Sequence, residues 1–523
     1  MNQFNRSRNE KINNPQCNFK RKKKSTTTIE NLSNEFFGKV FGYLDGCDIY
    51  LAFANLNHRF QQMLNSPLVL FKINLDNWLS KEILIDIYQQ MITFNKHQIF
   101  SIHSSTSLSM NRFCSSLSFD SSFNRLESLV LCESQSDIFI SLLNTLSSLP
   151  CLYSLTLKMF KSSTNLADVY GITLKLPMLK YHNVLTNPSD LIVTLPVNTD
   201  QQRFSSITHL VIENHCSFND VLRIISYTPQ LYRLDYTNTN SIDRNIEINL
   251  PIKLSNLKYL FVRVYGTKFD IVEMFLSKIS TKLKVLSFTT RHEDITYLDA
   301  NRWKEIISKY FLQLEKFYLK YYASRGNGSQ TQLYRGTANQ FALSFWIKRQ
   351  WIFEVQRDLE FIIYSVRPYK ERWDELILDQ SDALCSGLSK LTFTNMHANE
   401  WRNIINIDIK RVLSLTQIYH LIISVENIFV GVLIPILNSL PKLHSLKLHS
   451  LSFGDPPGMD PKEYKIIFSI RPTSKIVKTY LEKMNQRQDI FFLRVLCPDM
   501  IYLKVDWIEG ERNMVPFALV HFE

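Results

Sequence analysis

A six-residue hydrophobic signature, L-x-x-L-x-L, recurs along most of this chain and limits what it can fold into. It reads Leu126, Leu129, Leu131; Leu152, Leu155, Leu157; Leu176, Leu179, Tyr181; Ile207, Leu210, Ile212; and Leu231, Leu234, Tyr236. It continues as Leu257, Leu260, Val262; Leu283, Leu286, Phe288; and Leu314, Phe317, Leu319. The starts are 24, 26 or 31 residues apart. Alternation at the last two apolar positions marks a strand with one buried face. Helical stretches at Asp137–Leu146, Phe218–Tyr227, Phe269–Ile279 and Trp303–Phe311 fill several intervals. A strand–turn–helix unit of this size cannot bury its own apolar face, so such units must stack into a solenoid.

The pattern lapses near 320–387. There Arg325–Ser329 reads as a loop, and Phe345–Phe353 is expected to form a β-hairpin with Leu359–Val366. It resumes at Leu388, Leu391, Phe393; Ile418, Leu421, Ile423; Leu443, Leu446, Leu448; and Met500, Leu503, Val505. A helix over Lys475–Gln486 is expected before that last strand. The turn asparagine or cysteine that often follows such strands is missing: Ser134, Phe160, Val184, His215, Thr239, Tyr265 and Arg291 stand there.

Ahead of the repeats, residues 29–75 read as short amphipathic helices. Ser33 caps the first, which carries Phe36, Phe37, Val40, Phe41 and Leu44 on an apolar stripe. Asp48 is expected to cap a second with Ile49, Ala52, Phe53 and Leu56; a third carries Phe60, Met63 and Leu64. About 40 residues of helix bury little apolar surface alone, so the unit needs a partner. Residues 1–28 form a basic tail expected to be disordered. Its run Lys20–Lys24 reads either as a nuclear-import signal or as a solvated segment that aids solubility.

The chain has 45% hydrophobic and 21% charged residues, which places it among folded rather than disordered proteins. Only 13 glycines argue against glycine-dependent cofactor folds, and a net charge of +12 favours acidic partners. The longest apolar run, Ile428–Leu437, is far short of a membrane span. Eight cysteines without a C-x-x-C pair read as free thiols of a reducing compartment, so a cytoplasmic or nuclear location is expected. No metalloprotease, P-loop, dinucleotide or nucleophile-elbow motif occurs. His209, His215 and Cys216 lie close in sequence but read as strand and turn residues rather than a metal site. Asp374 and Glu375 read as solvated surface. Neither a catalytic residue nor a cofactor is expected.

The run Leu32-Ser33-Asn34-Glu35-Phe36-Phe37-Gly38-Lys39-Val40-Phe41-Gly42-Tyr43-Leu44, then Asp48-Ile49, then Leu56-Asn57-His58-Arg59-Phe60, resembles an F-box. Ser33 replaces the family's proline, and Phe60 a frequent tryptophan. The repeats resemble leucine-rich repeats. The expected fold class is therefore α/β, a three-helix F-box followed by an irregular leucine-rich-repeat horseshoe over 76–523. That combination resembles the substrate receptors of Skp–cullin–F-box ubiquitin ligases. It implies a non-catalytic subunit whose F-box binds a Skp-type adaptor, and through it a cullin, through Leu32, Ser33, Glu35, Phe36, Val40, Phe41, Leu44, Ile49 and Phe60. The alternatives are a leucine-rich scaffold with a non-docking F-box, a tether outside ubiquitin ligases, and a basic nucleic-acid-associated protein. No nucleic-acid module supports the last.

Strand alternation turns residues three, five and seven of each repeat away from the core. Those positions include Lys158, Lys180, Arg233, Arg263, Lys316, Lys320, Lys390, Lys447 and Lys504, against Glu213, Asp235 and Asp506. Tyr259, Phe261, Tyr318 and Tyr502 lie among them. The expected partner surface is Arg233, Tyr259, Phe261, Arg263, Lys316, Tyr318 and Lys320, receiving an acidic or phosphorylated protein segment. The competing reading is a row of cations that keeps the sheet soluble.

Overall fold

The computed structural model describes residues 29–521 except 79–84, 117, 134–135, 160–164, 187–194, 196–204, 214–215, 239–245, 247–251, 325–339, 359, 370–388, 395–407, 455–474 and 509–517. The basic tail with Lys20–Lys24, His215, Leu388, Arg325–Ser329 and Asp374–Glu375 therefore lie outside the described residues. The chain divides into two compact units, residues Met1–Lys72 and Ile73–Glu523.

In the first unit, α1 (Asn34–Phe41), α2 (Gly46–Phe53) and α3 (His58–Leu64) each start at a short polar residue with extended backbone. Ser33, Asp45 and Asn57 accept hydrogen bonds from Phe36 N (3.3 Å), Cys47 N (2.9 Å) and Phe60 N (3.1 Å), satisfying donors that a helix start leaves open. Asp45, rather than the expected Asp48, is thus the cap of α2. Asp48 lies within its first turn. The core is aromatic. Phe37 meets Phe60 edge to face at 4.9 Å, and Phe41 meets Phe53 at 5.2 Å. Arg59 reaches from α3 to Asn34 Oδ1 (2.7 Å) and the Leu32 carbonyl (2.5 Å), tying the entry of α1 to the third helix.

The second unit is mixed α/β, with one large, open and mostly parallel sheet. Its first strands are β1 (Ile99–His103), β2 (Ser128–Cys132), β3 (Ser154–Met159), β4 (Tyr181–Thr186), β5 (His209–Glu213) and β6 (Arg233–Asn238). Then come β7 (Tyr259–Tyr265), β8 (Val285–Arg291) and β9 (Lys316–Ser324). All nine run parallel, each beside the next. Helices Ser136–Thr145, Phe218–Ser226, Phe269–Lys278 and Ala300–Tyr310 occupy the four expected stretches and return the chain for each parallel step. The signature positions form aligned rows, one of which runs Leu129, Leu155, His182, Leu210, Leu234, Leu260, Leu286, Phe317. All of these are fully buried. Helix rings cover that face: Phe218 packs on Tyr236 at 5.5 Å, and Trp303 on Phe317 at 5.1 Å.

The third repeat is offset from its expected place. Its inward residues are Leu179, His182 and Val184, not Leu176, Leu179 and Tyr181. A histidine occupies a leucine position because its ring is bonded on both sides, to Thr173 Oγ1 (3.0 Å) and the Leu155 carbonyl (3.3 Å). Three further copies carry polar residues and escape the signature. They are Ile99, Ile102, Ser104; Ile352, Val355, Arg357; and Ile476, Thr479, Leu481, all buried. The last lies in β15 (Lys478–Met484), a strand where a helix was expected; the helix is Gln488–Leu496. Alternating burial of Thr479 and Leu481 decides it, for a helix would not bury every second residue.

The lapse in the signature does not interrupt the sheet. The hairpin is β10 (Trp351–Arg357) and β11 (Phe361–Pro368), with Ser344–Ile347 helical ahead of it. Strand β11 inserts between β9 and β10, antiparallel to both. From β10 the parallel ladder resumes through β12 (Ser389–Phe393), β13 (His420–Ile423), β14 (Ser445–Leu448), β15 and β16 (Tyr502–Ile508). Strand β17 (Ala518–His521) closes this end antiparallel.

Two buried imidazoles make this unit sensitive to mild acid. Burial holds His182 down to about 4 and His420 to about 3, the latter also beside His444, Lys390 and Lys478. The unfolded chain takes up each proton near the ordinary 6.5, before the folded state does. The stabilisation is therefore complete above pH 6.5 and declines as pH falls toward 4, by up to about 1.4 kcal/mol per pH unit for each group. His182→Leu is expected to flatten the dependence of the unfolding midpoint between pH 6.5 and 4.5. An unchanged slope would refute this assignment.

Candidate functional site

The sheet face opposite the signature carries residues at alternate positions. On β6 to β9 its rows run Arg233, Tyr259, Val285, Lys316; then Asp235, Phe261, Ser287, Tyr318; then Thr237, Arg263, Thr289, Lys320. The seven expected partner residues therefore form one continuous field. Neighbouring strands lie about 4.8 Å apart, so a bound segment would cross side chains from all four strands.

The charge of the field differs from the sequence count. Arg233 gives both Nε and a terminal nitrogen to Asp235 Oδ2 (3.1 and 3.0 Å) and lies 4.5 Å from the Phe261 ring, so it is largely engaged. Lys390 pairs with Glu354 (2.5 Å), Lys447 with Glu482 (2.6 Å), and Lys504 lies 3.5 Å from Asp506. Glu354 and Glu482 belong to the repeats that the signature missed, which is why nine cations seemed to face only three acids. Burial opposes ionisation of Glu354, but bonds from Arg367 and Lys390 carry it below the ordinary carboxylate range. Lys180 leaves the set altogether, because the offset of the third repeat puts it just before β4, with Nζ 3.3 Å from the Ser206 carbonyl.

What remains is Lys158 on β3 and, grouped together, Arg263, Lys316 and Lys320 on β7 and β9. Arg263 is exposed and has no ion-pair or hydrogen-bond partner for its side chain among the described residues. Lys320 is exposed with Nζ 5.2 Å from the Tyr322 ring. Lys316 is exposed next to Glu315, whose carboxylate is bonded mainly to Lys284 (2.5 Å).

The expected adaptor residues separate into two groups. Phe41, Ile49 and Phe60 are buried at 3% exposure or less and hold the first unit together. Leu32 and Val40 are half-buried, whereas Ser33, Glu35, Phe36 and Leu44 are exposed. Ser33 is engaged as the cap of α1, and its hydroxyl helps hold the Glu35 carboxylate below its ordinary range. The unit also exposes Tyr43 (92%), Leu51 and Leu56, which are not among the expected adaptor residues. Exposed aromatics and leucines in so short a unit are the signal that sequence periodicity alone cannot assign to core or surface.

A second feature was not anticipated. At the carboxyl ends of β8 and β9, beside the inserted β11, a cleft of about 830 Å³ is lined by Lys268, Arg291, His292, Tyr322, Tyr364 and Arg411, among others. Open α/β sheets place binding crevices at carboxyl strand ends where strand order changes. Arg411 was invisible as a site residue because it precedes an ordinary apolar helical run, Val412 to Leu415.

His209 and Cys216 belong to the scaffold. His209 Nδ1 lies 2.9 Å from Thr208 Oγ1, while the carbonyl of buried Cys216 accepts from Tyr236 and Asn238. Among the described residues no group of three or more His, Cys, Asp or Glu is placed to hold a metal ion. Among them, too, no helix is long and apolar enough to cross a membrane. No protein-family model matches the chain, and a search of curated proteins gave no match.

Proposed function

We propose that this protein is the substrate-receptor subunit of a Skp–cullin–F-box ubiquitin ligase, with an F-box in the first unit and a leucine-rich-repeat array in the second. The observation that carries the reading is the first unit itself. Its aromatic core is complete, yet Phe36 and Leu51 on the helices, and Tyr43, Leu44 and Leu56 in the turns between them, stay exposed. Such surface in so small a unit fits a permanent partner. Docking there of a Skp-type adaptor would bring a cullin, while the open face of β6 to β9 takes the substrate. The receptor's contribution to catalysis is proximity, which raises the effective concentration of substrate lysines near the conjugating enzyme.

Co-purification of the full-length chain with the Skp adaptor and a cullin tests the assignment. Recovery of both, lost on deleting 29–70, is the expected result; a chain that never captures the adaptor refutes it. The substrate surface has its own test. Charge reversal at Arg263 and Lys320 is expected to reduce labelling of substrate by about 10-fold in proximity experiments without changing adaptor recovery, as loss of two desolvated charge contacts implies. Equal loss on reversing cations of the helical face would refute the assignment of that surface.

A further inference from the structure

The cleft contains an arginine without a counter-ion among the described residues. Arg411, in the helix Lys410–Leu415, is 8% exposed. Its guanidinium has no hydrogen-bond or ion-pair partner among the described residues, and it reaches the cleft wall. Its charge acts on the hydroxyls of Tyr321 and Tyr364, which line the same space. The contrast with its neighbourhood is sharp. Asp408, one turn earlier, is taken by Arg357 at 3.2 Å. A buried charge left unpaired is costly, and such groups gather where a ligand completes them.

The other groups of the cleft add to this. Of its acids, Asp270 is paired with Arg302 (2.7 Å), and Asp294 accepts from Phe269 N, Thr296 N and Thr296 Oγ1. The Asp294 carboxylate is thereby held ionised with its oxygens engaged, so it keeps its charge but has few acceptor sites left, and Glu293 stands exposed beside it. Arg291 is exposed at the rim, 4.5 Å from the Phe361 ring, and Lys268 stands at the start of the helix Phe269–Lys278. Three cations, Lys268, Arg291 and Arg411, therefore face two carboxylates without an ion-pair partner among the described residues, Glu293 and Asp294, with tyrosine rings as walls. A planar guanidinium suits a tetrahedral oxyanion through paired N–H donors, and flanking cations favour a doubly charged group over a carboxylate.

We propose that the cleft around Arg411 binds a phosphoryl group, carried either by a small phosphate ester or by a phosphorylated side chain. The site lies at the carboxyl ends of β8 and β9 and adjoins the seven-residue field, since Lys320 of the field lies 5.2 Å from the ring of Tyr322 in the cleft lining. It does not depend on the receptor assignment, because it is measured on the isolated chain without an adaptor. Full-length protein is titrated with inorganic phosphate, phenyl phosphate and capped phosphoserine at constant ionic strength, followed by thermal unfolding and phosphorus NMR line width. Saturable binding that equivalent chloride does not reproduce is expected. A preference for phenyl phosphate points to a free ester stacking on the tyrosines, and a preference for capped phosphoserine points to a modified peptide. Arg411→Met, which keeps the apolar stem, is expected to lower affinity by at least about 30-fold. Should that variant not fold, Lys268→Gln with Arg291→Gln is expected to lower it about 3- to 10-fold by removing the rim cations. Absence of saturable phosphate binding by the unaltered protein, or undiminished affinity in both the Arg411 and the rim variants, overturns the proposal.

Discussion

Replacing Arg357 with alanine is expected to destabilise the second unit by about 3–5 kcal/mol, the usual cost of stranding one member of a buried ion pair. Arg357 and Asp408 are 1% and 8% exposed, with Nε 3.2 Å from Oδ2. Arginine occupies the third signature position of β10, in register with Phe393 of β12. Elsewhere that position holds Leu131, Leu157 or Leu448, so the site is built for an apolar side chain. Alanine there leaves a cavity and takes the guanidinium away from the Asp408 carboxylate. Replacing both residues by leucine is expected to recover most of the loss, because a well-packed apolar pair often equals a buried ionic one. Urea unfolding of the three variants measures both effects. A loss under about 1 kcal/mol for Arg357→Ala would mean that the carboxylate finds water or another donor.

The second large effect separates docking from folding in the first unit. Phe36→Asp with Leu44→Asp is expected to cut adaptor affinity at least about 100-fold, as removal of central apolar anchors does, while the helices stay folded. Both residues are more than a third exposed, so neither carries the core. Phe60→Ala is expected to abolish capture by another route. Phe60 is fully buried against Phe37 and Phe53, and truncating such a ring costs about 3–5 kcal/mol. Circular dichroism and protease resistance of the segment 29–72 distinguish the two variants. If Phe36→Asp with Leu44→Asp binds the adaptor normally, the surface formed by α1 and the turn after it is not the docking surface. Retained binding by Phe60→Ala with intact helices would show that the aromatic core is less critical than its burial implies.

The recurring strands were legible because burial of one sheet face writes a period of two into the sequence, and a return helix spaces the copies. The same logic located helices α1 and α3 and the four helices beside β2, β5, β7 and β8, since caps and apolar stripes are local signals. It also assembled the seven-residue field, for residues at equivalent strand positions share a face once the strands align. What escaped were the core positions held by polar residues. Ser104, His182, Arg357 and Thr479 occupy leucine places; for His182 and Arg357, partners such as the Leu155 carbonyl and Asp408 stand 27 and 51 residues away. Their repeats went unread or misaligned, and with them the acids Glu354 and Glu482 that neutralise Lys390 and Lys447. Sequence alone thus determined a stacked strand–helix array and which side of most of the identified strands faces outward, with β4 misaligned and β15 missed. Only tertiary structure decided the insertion of β11 between β9 and β10, the pairing that leaves Arg263 open, and the isolation of Arg411, because register and charge compensation depend on residues that meet only after the chain has folded.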